Sequence, residues 1–153
     1  MLCTNWVTLG CCILALPLAA AEPGVKAQFV GGTVSGIAAK ASFRLDLTGA
    51  DTLLFHLGNT ELGIAYQKIN TLEYGQGVSR RYLEAVLISP LLLLSKSRKH
   101  FVTIGYLDEE GKQQALVFRV EKGDIRSVLA SLEARTGRRI EYQDSDARKA
   151  GKG

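Results

Sequence analysis

Residues 100–120 read HFVTIGYLDEEGKQQALVFRV, and this stretch decides the fold class. His100 to Leu107 is apolar, aromatic and β-branched, the composition of a strand. Asp108, Glu109, Glu110, Gly111 and Lys112 follow as a charged hairpin loop with a glycine to turn it. Gln113 to Val120 then returns, with Leu116, Phe118 and Val120 on one face. Strands this close in sequence pair antiparallel, because a parallel connection needs a crossover of about a dozen residues or more.

The same alternation recurs upstream. Phe43, Leu45 and Leu47 alternate with Ser42, Arg44, Asp46 and Thr48, a strand with one wet face. Gly49-Ala50-Asp51 turns the chain. Leu53, Phe55 and Leu57 then alternate with Leu54 and His56, and Gly58-Asn59 makes a second turn. Leu62, Ile64 and Tyr66 predict a third strand, and residues 69–74 a fourth.

Downstream lies one helix, residues 124–136. Ile125, Val128, Leu129 and Leu132 fall at i, i+3, i+4 and i+7 and form a single apolar stripe. Asp124 is placed to cap the first turn, and Gly137 to end the last one. Residues 138–142 are a candidate short final strand, and the polar residues 143–153 are expected to be a disordered tail. The expected fold is therefore α+β and mainly β. Six or seven antiparallel strands form a curled sheet or barrel, plugged by one C-terminal amphipathic helix, in a single domain over residues 22–142.

This element order resembles the pleckstrin-homology-like barrel, in which a C-terminal helix plugs an open sandwich. More specifically, the chain resembles a group of small exported bacterial proteins of unassigned function. The resemblance rests on Leu72-Glu73-Tyr74-Gly75-Gln76, on Arg80-Arg81, and on Lys96-Ser97-Arg98-Lys99-His100-Phe101. It continues in the loop 108–112, in Leu132-Glu133-Ala134-Arg135-Thr136-Gly137, and in Ile140-Glu141-Tyr142, and spans residues 29–145. It implies export and supplies no activity.

Residues 1–21 carry no charged side chain and hold all three cysteines, the one Met and the one Trp. An apolar run over residues 9–18 ends at Ala19-Ala20-Ala21, before Glu22-Pro23-Gly24, the pattern of a cleavable secretory signal. The expected location is periplasmic or extracellular. A retained anchor is the alternative. A spanning helix needs about 20 apolar residues, and residues 6–21 fall short and are interrupted by Pro17. Lipid attachment at Cys11 is disfavoured because the apolar run follows that cysteine instead of preceding it.

Cleavage after Ala21 would leave a mature chain without cysteine, so its stability rests on burial and no disulfide is expected. All 19 Lys and Arg and all 15 Asp and Glu lie beyond residue 21, so the formal net charge of +4 belongs to the domain. That balance is compatible with anionic surfaces and does not indicate nucleic acid.

No enzyme signature emerges. His56 and His100 have no neighbouring His or Cys with which to build a zinc site, and neither has an identifiable orienting partner for general-base work. Asp108, Glu109 and Glu110 lack the alternating ligands of a calcium loop. No metal and no cofactor is expected. Gly75-Gln76-Gly77-Val78-Ser79-Arg80 begins like a dinucleotide fingerprint, but it has Arg80 in place of the third glycine and no βαβ unit around it. A flexible turn or a small anion nest remains.

The least ordinary feature is residues 82–100. An apolar stretch over 83–94 ends in Leu91, Leu92, Leu93 and Leu94. It switches at once to Lys96, Arg98, Lys99 and His100. The stretch is too short to span a bilayer. If covered, it is a lid on the core. If exposed, the leucines are an apolar contact, and Arg80, Arg81, Lys96, Arg98, Lys99 and His100 are an anion or membrane contact. The functional expectation is an exported, non-enzymatic binding or interaction domain of unknown ligand, its partner an unidentified protein or an anionic membrane surface. The alternative is a peripheral envelope protein that touches an anionic membrane through residues 83–100, or is held there by an uncleaved N-terminus.

Overall fold

The computed structural model describes residues 24–34, 36–38, 40–76 and 100–152. Among these, the chain forms β1 (Val25–Gly32), β2 (Ser42–Asp46), β3 (Thr52–Leu57), β4 (Thr60–Ala65), a 3₁₀ turn (Tyr66–Lys68) and β5 (Ile69–Gly75). After residue 99 come β6 (His100–Leu107), β7 (Gln113–Val120), α1 (Ile125–Thr136), β8 (Glu141–Tyr142) and α2 (Ser145–Lys152).

The expected hairpin is present. β6 and β7 pair antiparallel from His100↔Val120 to Leu107↔Gln113. Its loop is organised by Asp108. Oδ1 accepts from the backbone N–H of Glu110 (3.0 Å) and of Lys112 (2.8 Å), and Oδ2 accepts from Gln114 Nε2 (2.8 Å). Gly111 sits at φ 77°, where a side chain would be strained. The loop carboxylates are thus used as a hairpin tip.

The strands form one eight-stranded sheet in the order β4-β3-β2-β1-β7-β6-β5-β8. Three expectations change here. First, eight described strands replace six or seven, because β1 was not legible. Its sequence VKAQFVGG mixes Lys26, Gln28 and two glycines with the weak apolar residue Ala27, and a register shift between Phe29 and Gly31 breaks the alternation. Gly32 has a steric reason, since a Cβ there would stand 2.8 Å from the Ala115 carbonyl oxygen. Second, the sheet is mixed and not wholly antiparallel. β8 runs parallel to β5 at Glu73↔Glu141 and Tyr74↔Tyr142, and the long α1 excursion supplies the crossover such a pair needs. Third, the sheet is not a closed barrel. β4 and β8 are its two edges.

The open sheet is nevertheless strongly curled. Phe55 on β3 and Phe118 on β7 are three strand steps apart, about 14 Å in a flat sheet. Their rings stand 6.0 Å apart edge-on, and Phe43 on β2 lies 5.4 Å from Phe55 and 5.7 Å from Phe118. The concave face thereby closes on an aromatic centre. Ile125, Val128, Leu129 and Leu132 of α1 join the same buried cluster, so the helix fills the mouth of the curl.

The helix begins without the expected side-chain cap. Asp124 lies in helical conformation (φ −98°, ψ −15°) and makes no capping bond from its carboxylate. A cap needs extended backbone at that position. Here the preceding turn already winds into the helix, with Asp124 N–H on the Glu121 carbonyl at 3.1 Å. The other end is as expected. Gly137 is left-handed (φ 66°), and its N–H bonds the Glu133 carbonyl at 2.9 Å. Arg135 fastens this end to the β2–β3 turn. Its guanidinium donates to the carbonyls of Gly49 and Thr48 and lies 5.6 Å over the Tyr66 ring.

The tail 143–153 was expected to be disordered, but residues 145–152 form α2. Asp144 Oδ1 accepts from the Ala147 N–H at 2.6 Å, capping the helix. Ala147 is fully buried, and Lys152 Nζ lies 5.7 Å over the Tyr142 ring. A polar sequence orders here because β8 brings Tyr142 to a place where small side chains can pack on it. The third strand also ends earlier than expected, with Tyr66 turning into the 3₁₀ segment.

Candidate functional site

The convex face of the sheet is wet over β2, β3 and β4 and at the Lys26 and Arg119 ends of β1 and β7, and across β1, β2, β3 and β7 it carries a cleft of about 560 Å³. Three cations line it, each from a different strand: Lys26 on β1, Arg44 on β2 and Arg119 on β7. Gln28, Ser42, His56 and Glu121 complete the polar lining. Each cation lies between two core residues: Lys26 between Val25 and Ala27, Arg44 between Phe43 and Leu45, and Arg119 between Phe118 and Val120. Period-two alternation then turns all three outward. Register brings them together, since Lys26 faces Arg44, Arg44 faces His56, and Gln28 faces Arg119.

Carboxylates mark the border of the cleft. Glu121 lies 3.7 Å from Arg119, Glu61 lies 3.3 Å from His56 Nδ1, and Asp46 lies 3.8 Å from His56 Nε2. Asp46 Oδ1 also accepts from the Thr48 N–H and Oγ1, both at 2.7 Å. These Thr48 bonds, with a smaller contribution from His56, hold the Asp46 carboxyl below the ordinary carboxylate value despite its burial. Asp46 therefore stabilises the fold above the unfolded value of about 3.9, and that contribution is lost as pH falls through the lower folded value. Three permanent cations against the single Glu121 carboxylate in the lining suit the cleft to an anion.

Sequence reasoning passed over Lys26, Arg44 and Arg119, because each is an isolated basic residue in its own strand. The available signal was the repeated apolar–basic–apolar triplet in three strands. Of the contacts expected from sequence, Arg80, Arg81, Leu91, Leu92, Leu93, Leu94, Lys96, Arg98 and Lys99 lie outside the described residues. So does the expected signal, residues 1–21.

His100 is described, and it is engaged. Its ring lies parallel to that of Tyr74 with centroids 6.0 Å apart, and Tyr74 Oη hydrogen-bonds Nδ1. Tyr74 in turn meets Tyr142 edge-on at 6.1 Å. Burial, and then the nearby Lys122 charge, push the His100 pKa below its ordinary value, with Glu121 opposing. The neutral ring is favoured, so at neutral pH His100 adds no charge to the basic run before it. A folded pKa below the unfolded one means that His100 contributes fully above about 6.5 and loses that contribution as pH falls through the folded value. In an NMR titration, the His100 imidazole is expected to change charge below pH 6.5. A midpoint above that value would contradict the packing described.

A second depression, about 520 Å³, lies between the end of β2 and α1, lined by Leu45, Thr48, Ser127, Ser131 and Arg135. Its cation is already committed to Gly49 and Tyr66, so it serves the fold. Among the described residues, no group of three His, Cys, Asp or Glu side chains is placed to hold a metal ion, and no helix is long and apolar enough to cross a membrane. No protein-family model and no curated protein sequence matches the chain.

Proposed function

We propose that this chain is a small exported binding domain of pleckstrin-homology-like architecture that takes up an anionic ligand in the cleft between Lys26, Arg44 and Arg119. One observation carries this reading. Register gathers cations from three neighbouring strands into a single cleft on the wet half of the sheet. The charge-free apolar run before Ala19-Ala20-Ala21 supports export. The architecture is supported by the curled sheet, whose strands run β4-β3-β2-β1-β7-β6-β5, and by α1 plugging its mouth. β8 and α2 extend that plan at one edge.

The test is calorimetric titration of the full chain with inorganic pyrophosphate. Binding should weaken with salt, as the Debye length falls from about 30 Å at 0.01 M to about 8 Å at 0.15 M. Changing Lys26, Arg44 and Arg119 together to Ser should cost at least about tenfold in affinity, or ~1.4 kcal/mol, with an unchanged circular dichroism spectrum. Undiminished binding by that variant, or no binding at low salt, would refute the assignment. Flotation with phosphatidylcholine vesicles containing phosphatidylglycerol tests the competing membrane role. Vesicle binding lost with Lys96, Arg98 and Lys99 changed to Ser, and kept by the cleft variant, would move the contact to residues 83–100.

A further inference from the structure

Lys26 on β1, Arg44 on β2, His56 on β3 and Glu61 on β4 stand in one register row across the sheet. Neighbours in such a row have Cβ atoms about 4.5–5.5 Å apart, so His56 stands between a guanidinium and a carboxylate. Its side chain also lines the anion cleft. Both ring nitrogens face carboxylates, Nδ1 the Glu61 Oε2 at 3.3 Å and Nε2 the Asp46 Oδ2 at 3.8 Å. A neutral imidazole carries one N–H and can serve only one of them, whereas an imidazolium donates from both nitrogens. The charged groups facing His56 are therefore Arg44 and Asp46 from β2 and Glu61 from β4, with Lys26, Arg119 and Glu121 around the cleft.

We propose that His56 is the proton-dependent contact of this cleft, and that the anion binds there together with a proton. The inference rests on the anion reading above and adds its regulation. Two carboxylates favour the imidazolium, and the cations Arg44 and Lys26 oppose it. An anion held between Lys26, Arg44 and Arg119 sets negative charge beside those opposing cations. It cancels their repulsion and gives the imidazolium a further partner. Bound anion and bound proton thus favour each other, and by linkage each strengthens the other by the same factor.

Asp46 does not blur the coupling. Its bonds from Thr48 hold its carboxyl below the ordinary carboxylate value, so it stays ionised over the range in which histidine changes charge, about pH 5 to 8. The His56 side chain is 33% exposed, so protons reach it without opening the sheet. The cleft takes up its anion most tightly in mildly acidic surroundings and releases it as the pH rises.

Calorimetric titration of the full chain with inorganic pyrophosphate tests this, at about pH 5.5 and 7.5, both inside the histidine range, and at one ionic strength. The ratio of affinities at the two pH values should be at least about fivefold larger for wild type than for His56→Gln. The protonation of pyrophosphate and of His100, the other histidine, is common to both proteins and drops out of that comparison. His56→Lys, whose cation is permanent, should bind more tightly than His56→Gln at both pH values. In an NMR titration of the wild-type chain, saturating pyrophosphate should move the His56 midpoint to higher pH by the equivalent of the same factor. An unmoved midpoint, or a pH dependence that His56→Gln keeps in full, would overturn the coupling and leave the cleft in place. Absence of binding at both pH values, or binding that ignores the change of Lys26, Arg44 and Arg119 to Ser, would refute the cleft and the coupling with it. Should His56→Gln fail to fold, the wild-type midpoint decides alone.

Discussion

Phe118→Ala is expected to lower the free energy of unfolding by about 3–5 kcal/mol, the largest loss at any single position considered. Phe118 is fully buried on β7 and meets the rings of Phe43 and Phe55 edge-on. Those contacts join β2, β3 and β7 across the concave side, so truncation removes transfer free energy and leaves a void at the centre of the curl. The backbone pairing of β7 with β1 and β6 limits how far the walls can close in. Urea denaturation measures the effect as a lower midpoint at unchanged slope. A loss below about 1 kcal/mol, small against the range for such truncations, would mean that the aromatic centre is loosely packed and that the curl is held elsewhere.

Leu129→Ala is expected to cost about 2–5 kcal/mol. Leu129 is buried on the α1 stripe within the core cluster, and its Cδ1 would lie 3.2 Å from a Cβ built at Gly151 of α2. One side chain thus contacts the core on one side and the C-terminal helix on the other. The variant should lose the order of α2 together with global stability, seen as faster amide exchange in residues 145–152 than in the sheet. A loss below about 0.5 kcal/mol, the level of an ordinary surface substitution, would show that α1 does not dock on the sheet.

The hairpins were legible because their determinants are local. The alternation in residues 42–48 and 53–57, the loop at 108–112 and the i, i+3, i+4, i+7 stripe of α1 each lie within a few residues of one another. So does Gly137, whose left-handed conformation only a glycine adopts freely. Features that depend on partners distant in sequence were not legible. β1 is held by β2 on one side and β7 on the other, and its bulge suits that setting rather than any local period. A short final strand within residues 138–142 was legible, but its parallel pairing with the edge of β5 was not, and α2 orders only because Tyr142 and Leu129 give its small residues a surface. The candidate site is of the same kind. Composition placed a net positive charge on the domain, and alternation turned Lys26, Arg44 and Arg119 outward. Their meeting in one cleft follows from strand register, a non-local property that one sequence does not display, because a slip of one residue would send each cation to the opposite face.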